Sequence, residues 1–198
     1  MLAVARRHLP DGVVLTGAEA SRGPPMIVDP AALAAAAEEV VRIGAAAAGT
    51  VDGIVVAAFG DPGLASLRRL VPIPVVGIGE AAINEAAQDG RRFGIATTTP
   101  ALVPAIAALV EALGCGSGFT GVRVPDAEPL RLAANPAAQD RALAEAATRC
   151  IEEDGAESVV IGGGPLSSSA ARLRAVFAVP IIEPVPAGLR RLLRKLGA

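Results

Sequence analysis

The chain of 198 residues has no tryptophan and no tyrosine, four phenylalanines, two cysteines and a single histidine. All but one of its 18 basic residues are arginine, and the exception, Lys195, lies three residues from the C-terminus. Each scarcity removes a class of function. With so few aromatics and no basic stripe, nothing points to a nucleic-acid partner. His8, Cys115 and Cys150 are too scattered to make a metal cluster, so no metal is expected. Schiff-base chemistry would have only Lys195 to use, and a histidine-based triad only His8, in a basic helix-like segment. A disulfide has no support in a cytosolic protein. No apolar run reaches membrane-spanning length: Ala31 to Ala37 ends at Glu38-Glu39. Met1 to Pro10 carries Arg6 and Arg7 without an apolar region of signal-peptide length, which leads to the expectation of a cytoplasmic protein. A composition of 52% hydrophobic and 19% charged residues with net charge -2 describes a folded chain of one domain or two small lobes.

What is present alternates. Leu2 to Leu9 reads as helix, stopped by Pro10-Asp11-Gly12, and Val13-Val14-Leu15 as a short strand. Asp29 caps a long helix that opens at Pro30 and runs to about Gly44. Strands are expected at Ile54 to Ala58, Pro74 to Ile78, Phe93 to Thr97, Gly121 to Val124, Val159 to Ile161 and Pro180 to Glu183. Helices fall between them, with Pro125 to Asn135 a loop and Pro186 to Leu196 a terminal helix. The strands are continuous apolar runs, the mark of parallel sheets covered on both faces by helices. The fold class is therefore α/β. Sites in such sheets lie beyond the C-terminal ends of the strands.

The sequence also repeats itself. Ile54-Val55-Val56-Ala57-Ala58-Phe59-Gly60 followed by Ile73-Pro74-Val75-Val76 matches Val159-Val160-Ile161-Gly162-Gly163-Gly164-Pro165 followed by Val179-Pro180-Ile181-Ile182. Ile54 aligns with Val159 and Ile73 with Val179, so a single residue is inserted between. The repeat predicts two pseudo-symmetric lobes, residues 1–90 plus 186–198 and residues 91–185, with a site in the cleft where two equivalent junctions face each other. At the heart of that site stand Ala58 and Gly163, neither of which can move a proton.

Around this blank centre lie residues with chemistry. Thr97-Thr98-Thr99-Pro100 ends a strand and opens a helix, so its hydroxyls and amides could hold an anion, or Thr99 could simply cap. Gly162-Gly163-Gly164-Pro165, followed by Ser167-Ser168-Ser169, reads as an oxyanion or carboxylate pocket, or as a tight turn with a serine cap. Asp61 is the ionisable side chain nearest Ala58. It is a candidate base, or the N-cap of the helix that follows Pro62. Gly77-x-Gly79-x-x-Ala82 imitates a dinucleotide fingerprint, but no acid stands near the end of the next strand, which argues against a nucleotide. Cys115 and Cys150 read as packing residues.

Val56-Ala57-Ala58-Phe59-Gly60-Asp61-Pro62-Gly63-Leu64, Pro74-Val75-Val76-Gly77-Ile78-Gly79-Glu80-Ala81-Ala82, Phe93-Gly94-Ile95-Ala96-Thr97-Thr98, Glu152-Glu153-Asp154-Gly155-Ala156-Glu157 and Pro180-Ile181-Ile182-Glu183 resemble the Asp/Glu/hydantoin racemase superfamily, in particular its hydantoin and allantoin racemase branch. The resemblance implies two α/β lobes with a cleft, no cofactor, and a small hydantoin-like or amino-acid-like substrate racemised by two cysteines on opposite faces. One thiolate would take the proton beside a carbonyl and the other thiol would return one. The resemblance places substrate contacts at Thr97 and Thr98, and Phe59, Gly60, Gly163, Gly164 and Pro165 are the candidate contacts beside them. The two cysteine positions hold Ala58 and Gly163 instead, which leaves Asp61 as the leading base. The strand and asparagine-rich loop that open the family's fold have no match before the first helix here. A homo-oligomer is expected. Three readings stand at this point: an isomerase of altered mechanism, a non-catalytic small-anion or cyclic-amide binding protein, and a paralogue without a ligand.

Overall fold

The computed structural model describes residues 1–198. Helix α1 (Leu2–Arg6) is short, and the chain then runs without helix or strand to Asp29, whose Oδ1 accepts the Ala32 amide at 2.8 Å and starts α2 (Pro30–Ala47). Strand β1 (Ile54–Val56), α3 (Leu64–Leu70), β2 (Val75–Gly77) and α4 (Ile78–Ala86) follow. Next come β3 (Phe93–Ala96), α5 (Val103–Ala112), β4 (Phe119–Arg123) and α6 (Pro129–Ala133). The chain closes with α7 (Pro136–Glu152), β5 (Ser158–Ile161), α8 (Ser167–Leu173), β6 (Ile181–Ile182) and α9 (Pro184–Leu196). No helix is long and apolar enough to cross a membrane.

All strand pairs are parallel. β1 and β2 form a two-stranded sheet, and the other four strands lie in the order β4-β3-β5-β6. The repeat is visible in the register: Ile54 pairs with Val75 in the first sheet and Val159 with Ile181 in the second, the same two positions of the repeated pattern. β3 and β5 are buried along their whole length, as uninterrupted apolar strands between helical layers must be.

The expected strand at Val13–Leu15 does not form. No strand lies beside it to pair with; the Val13 amide turns back to the Pro10 carbonyl, and Val14 remains 87% exposed. The expected loop before Asn135 contains α6, because the Glu128 carboxylate accepts the Leu130 and Arg131 amides and nucleates a turn. The last helix starts earlier than expected, at Pro184, which suits a first helical position.

The largest buried cluster draws on both sheets. It runs from Phe59 and Val76 through Ala82 and Ile83 to Phe93, Ile95, Val160, Ile182 and Leu192. A second cluster lies under α7 and α8 and includes Leu143, Cys150, Val159 and Ile161. The clusters confined to the first sheet are much smaller: Val56, Leu64, Leu67 and Val75 on one face, and Ala5, Ile78, Val185 and Leu189 on the other. α9 returns to the first sheet, so closely that a Cβ on Gly188 would touch Ile78 and Val55.

Candidate functional site

The turn after β1 is built for close approach. Gly60 and Gly63 adopt left-handed φ of 101° and 72°, and between them Asp61 does so at 50°. Aspartate tolerates that region better than bulkier residues do. The turn leaves the Ala58, Phe59 and Gly60 amides without an acceptor in the chain, while the Asp61 amide donates to the Ala58 carbonyl.

Asp61 does cap a helix, but α4 and not the α3 that it precedes in sequence. Its Oδ1 accepts the Gly79 amide at 2.7 Å and its Oδ2 the Glu80 amide at 2.6 Å. Both oxygens are engaged in a site where the residue is 7% exposed. Burial pushes the carboxyl up to about 6 against the pull of those two amides, and the neighbouring Glu80 carboxylate adds to the rise. Gly77 and Gly79 make room for this side chain: a Cβ on Gly77 would fall inside the Asp61 carboxyl group. Glu80, also buried, pairs with Arg68, and the same guanidinium donates to the Val75 carbonyl.

The second junction meets the first. A Cβ on Gly164 would lie 2.7 Å from the Ala57 carbonyl oxygen and 2.6 Å from the Met1 sulfur. A Cβ on Gly162 would lie 3.1 Å from the Phe59 ring. The strand ends carrying Ala58 and Gly163 are thus adjacent across the boundary between the sheets. Around Gly163 the donors are divided: its own amide bonds to the Ile161 carbonyl, whereas the Gly164 amide has no acceptor in the chain. Ser167 Oγ turns back to the Gly164 carbonyl at 2.6 Å, and Ser169 Oγ accepts from Gln139. Pro165 is exposed.

The three threonines at the end of β3 are all buried. Thr97 Oγ1 donates to the Gly162 carbonyl at 2.7 Å and lies 3.2 Å from Thr99 Oγ1, and the Thr97 amide donates to the Arg123 carbonyl. Thr97 therefore ties β3 to its neighbours. Thr99, read from sequence as a helix cap, makes no side-chain cap. The Thr98 hydroxyl stands outside this network, and the Thr98 and Thr99 amides have no backbone acceptor.

The cysteines lie elsewhere. Cys150 is fully buried on α7, with its sulfur 2.9 Å from where a Cβ on Gly94 would stand, and burial pushes its thiol up to about 11. Cys115 follows α5, and burial raises its thiol as well. A thiol held protonated is a poor nucleophile and a poor base. No three histidine, cysteine, aspartate or glutamate side chains come together as a metal site would require. Glu183, at the end of β6, is 3% exposed; its Oε1 accepts from Arg174 at 2.9 Å, and its Oε2 is buried without a partner. Its place at a strand end is legible in the sequence, but its orphaned oxygen is not.

Comparison with known proteins gives this geometry a family. Residues 1–192 match the family model described as Asp/Glu/Hydantoin racemase. A hydantoin racemase of Rhizobium meliloti is 38% identical over 148 residues, 75% of this chain but only 61% of that protein's length. A hydantoin racemase of Paenarthrobacter aurescens is 32% identical over 190 residues, covering 94% of this chain and 80% of that protein. The solved structure of an allantoin racemase from Klebsiella pneumoniae superposes with a TM-score of 0.91 at 31% identity, over 98% of this chain and 81% of the other.

Proposed function

The chain belongs to the Asp/Glu/hydantoin racemase family, and on that premise we propose that it binds a small hydantoin-like cyclic amide between the two strand-end junctions, without racemising it by thiols. The observation that carries this reading is the set of unpaired backbone donors gathered there: the amides of Ala58, Phe59, Gly60, Thr98, Thr99 and Gly164. A cyclic amide presents carbonyl oxygens in a plane, and fixed N–H donors suit them at little reorganisation cost. Phe59 and Gly60 would line one side, with Thr97, Thr98, Gly163, Gly164 and Pro165 on the other. No cofactor enters this reading. Exchange of a proton across the two faces of such a ring needs an acid and a base on opposite sides, and Ala58 and Gly163 supply neither.

A second reading keeps catalysis and assigns it to Asp61. It is favoured by the carboxyl's displacement to about 6, in the range useful for a general base near neutrality. Against it, Asp61 is only 7% exposed and both of its oxygens already hold α4 amides.

Calorimetric titration with hydantoin, allantoin, aspartate and glutamate, run beside polarimetry on an optically pure 5-substituted hydantoin, separates the two. Saturable binding of a cyclic amide with constant rotation is the expected result. Racemisation at an enzymatic rate that disappears in Asp61→Asn would establish the second reading, and neither binding nor turnover would overturn both. The pocket can also be re-armed. A Cβ on Gly163 meets first the Leu166 side chain, which can turn aside, and Ala58 is half-buried. Ala58→Cys combined with Gly163→Cys is therefore expected to fold and to gain measurable racemisation of any ligand that the wild type binds.

A further inference from the structure

Away from the strand-end junctions, α4 and α9 enclose an open cavity of about 650 Å³. It lies beside Pro180, at the N-terminal end of β6, and so at the opposite end of the sheet from the proposed ligand cleft. Its walls carry Arg91, Arg190, Arg191 and Arg194 against a single acid, Glu85, in a chain whose net charge is -2. Ala81, Pro180 and Ile182 give it a small apolar floor.

The pairing of these arginines decides what the cavity can hold. Arg190 grips Glu85 through both of its carboxylate oxygens, so that acid neutralises one arginine and no more. Arg91 donates to the Gln88 and Glu85 backbone carbonyls, which fix its guanidinium without cancelling its charge. Arg191 comes no closer than 3.8 Å to Glu80, a carboxylate already held by Arg68. Arg194 is exposed. Three positive charges thus face one cavity with little compensation, and guanidinium forks favour phosphate oxygens, which they bind in pairs. Asn84 and the exposed Gln88 add amide donors on the α4 side.

We propose that this cavity is a binding site for a small polyphosphate-bearing molecule, separate from the cleft at the strand ends. Its volume falls within the range of small-molecule sites. A run of adjacent phosphates would match three convergent guanidinium groups better than an isolated single charge would.

Inorganic tripolyphosphate serves as the probe. Titrated into the full chain at low ionic strength, it is expected to bind at a single saturable site. Arg191→Ala/Arg194→Ala is expected to weaken that binding at least tenfold. Arg69→Ala/Arg141→Ala, which removes the same charge from other exposed positions, is expected to leave it within twofold. If the first pair fails to fold, Arg194→Ala alone carries the test and is expected to weaken binding severalfold. Equal losses in both pairs would reduce the effect to general electrostatic attraction and overturn the proposal. So would displacement of the probe by allantoin, which would put the anion in the cleft. The absence of saturable binding would overturn it as well, including a result in which the arginine face instead joins two copies in a dimer broken by Arg191→Ala/Arg194→Ala.

Discussion

In the first half of the chain the carboxylate that organises the strand ends comes from the turn after β1, and in the second half it comes from the strand end itself. Asp61 reaches over Gly77 to hold the first amides of α4. At the matching positions of the second half stand Leu166 and Glu183, so the carboxylate has moved from the turn to the strand end, where the first half has Gly77. The helices explain why this is tolerated. α4 begins Ile78-Gly79-Glu80, every residue bringing an N–H that the helix cannot use. α9 begins Pro184-Val185-Pro186, and its two prolines have no N–H to satisfy. A first turn with fewer N–H groups to satisfy leaves the carboxylate for other use, and Glu183 turns instead to Arg174. The sheets differ too, two strands against four. Identical backbone plans can therefore rest on different polar arrangements.

The contrast can be broken most severely at Gly77. Gly77→Ala drives a methyl group into the Asp61 carboxyl and should cost about 3–5 kcal/mol, from overpacking together with weakened charged hydrogen bonds. Urea denaturation would measure it.

A pH series sharpens the same point. Burial holds the Asp61 carboxyl near about 6 in the folded chain, above the 3.8 of a free side chain. Between these values the folded state keeps a proton that the unfolded chain has lost. The stability contributed by this group is complete below about pH 4 and lost as pH rises through 6, by up to about 3 kcal/mol. Asp61→Asn should abolish that slope, and an unchanged slope in the variant would assign it to another group.

Hydrogen exchange tests the sheets. The amides of β3 and β5, which lie inside four strands, should be protected about a hundredfold more than those of β1 and β2. Equal protection would mean that the two halves open only together.

The smallest effect is expected at Glu183. Glu183→Gln gives up one ion pair with an exposed arginine and removes the charge of a buried carboxylate, so its thermal midpoint should correspond to a change of less than about 1 kcal/mol.

The strand and helix order was legible because apolar runs, prolines and cap residues mark it locally. The repeat marked β1 with β2 and β5 with β6 as equivalent units, and the folded chain pairs the strands within each. The Val13–Leu15 segment has strand-forming residues, but a strand also needs a neighbour, and a neighbour is a property of the whole fold. The destination of Asp61 was hidden for a similar reason. Its spacing from Pro62 suggested the adjacent helix, whereas its true partners lie 18 and 19 residues on. Gly77 and Gly79, read as a failed nucleotide fingerprint, are small because Asp61 lies against them. The threonines were correctly located at a strand end, yet only the folded chain distinguishes Thr97, committed to Gly162, from Thr98.

The core cluster that carries Phe59 has a mechanical consequence. Because it joins Val76 of the first sheet to Phe93, Val160 and Ile182 of the second, the halves cannot swing apart like the covers of a book without tearing it open. Such an excursion approaches the cost of unfolding. A ligand bound as proposed would then come and go on the nanosecond-to-microsecond clock of the turns at the strand ends, and its dwell time would be governed by the amides that hold it rather than by a gate.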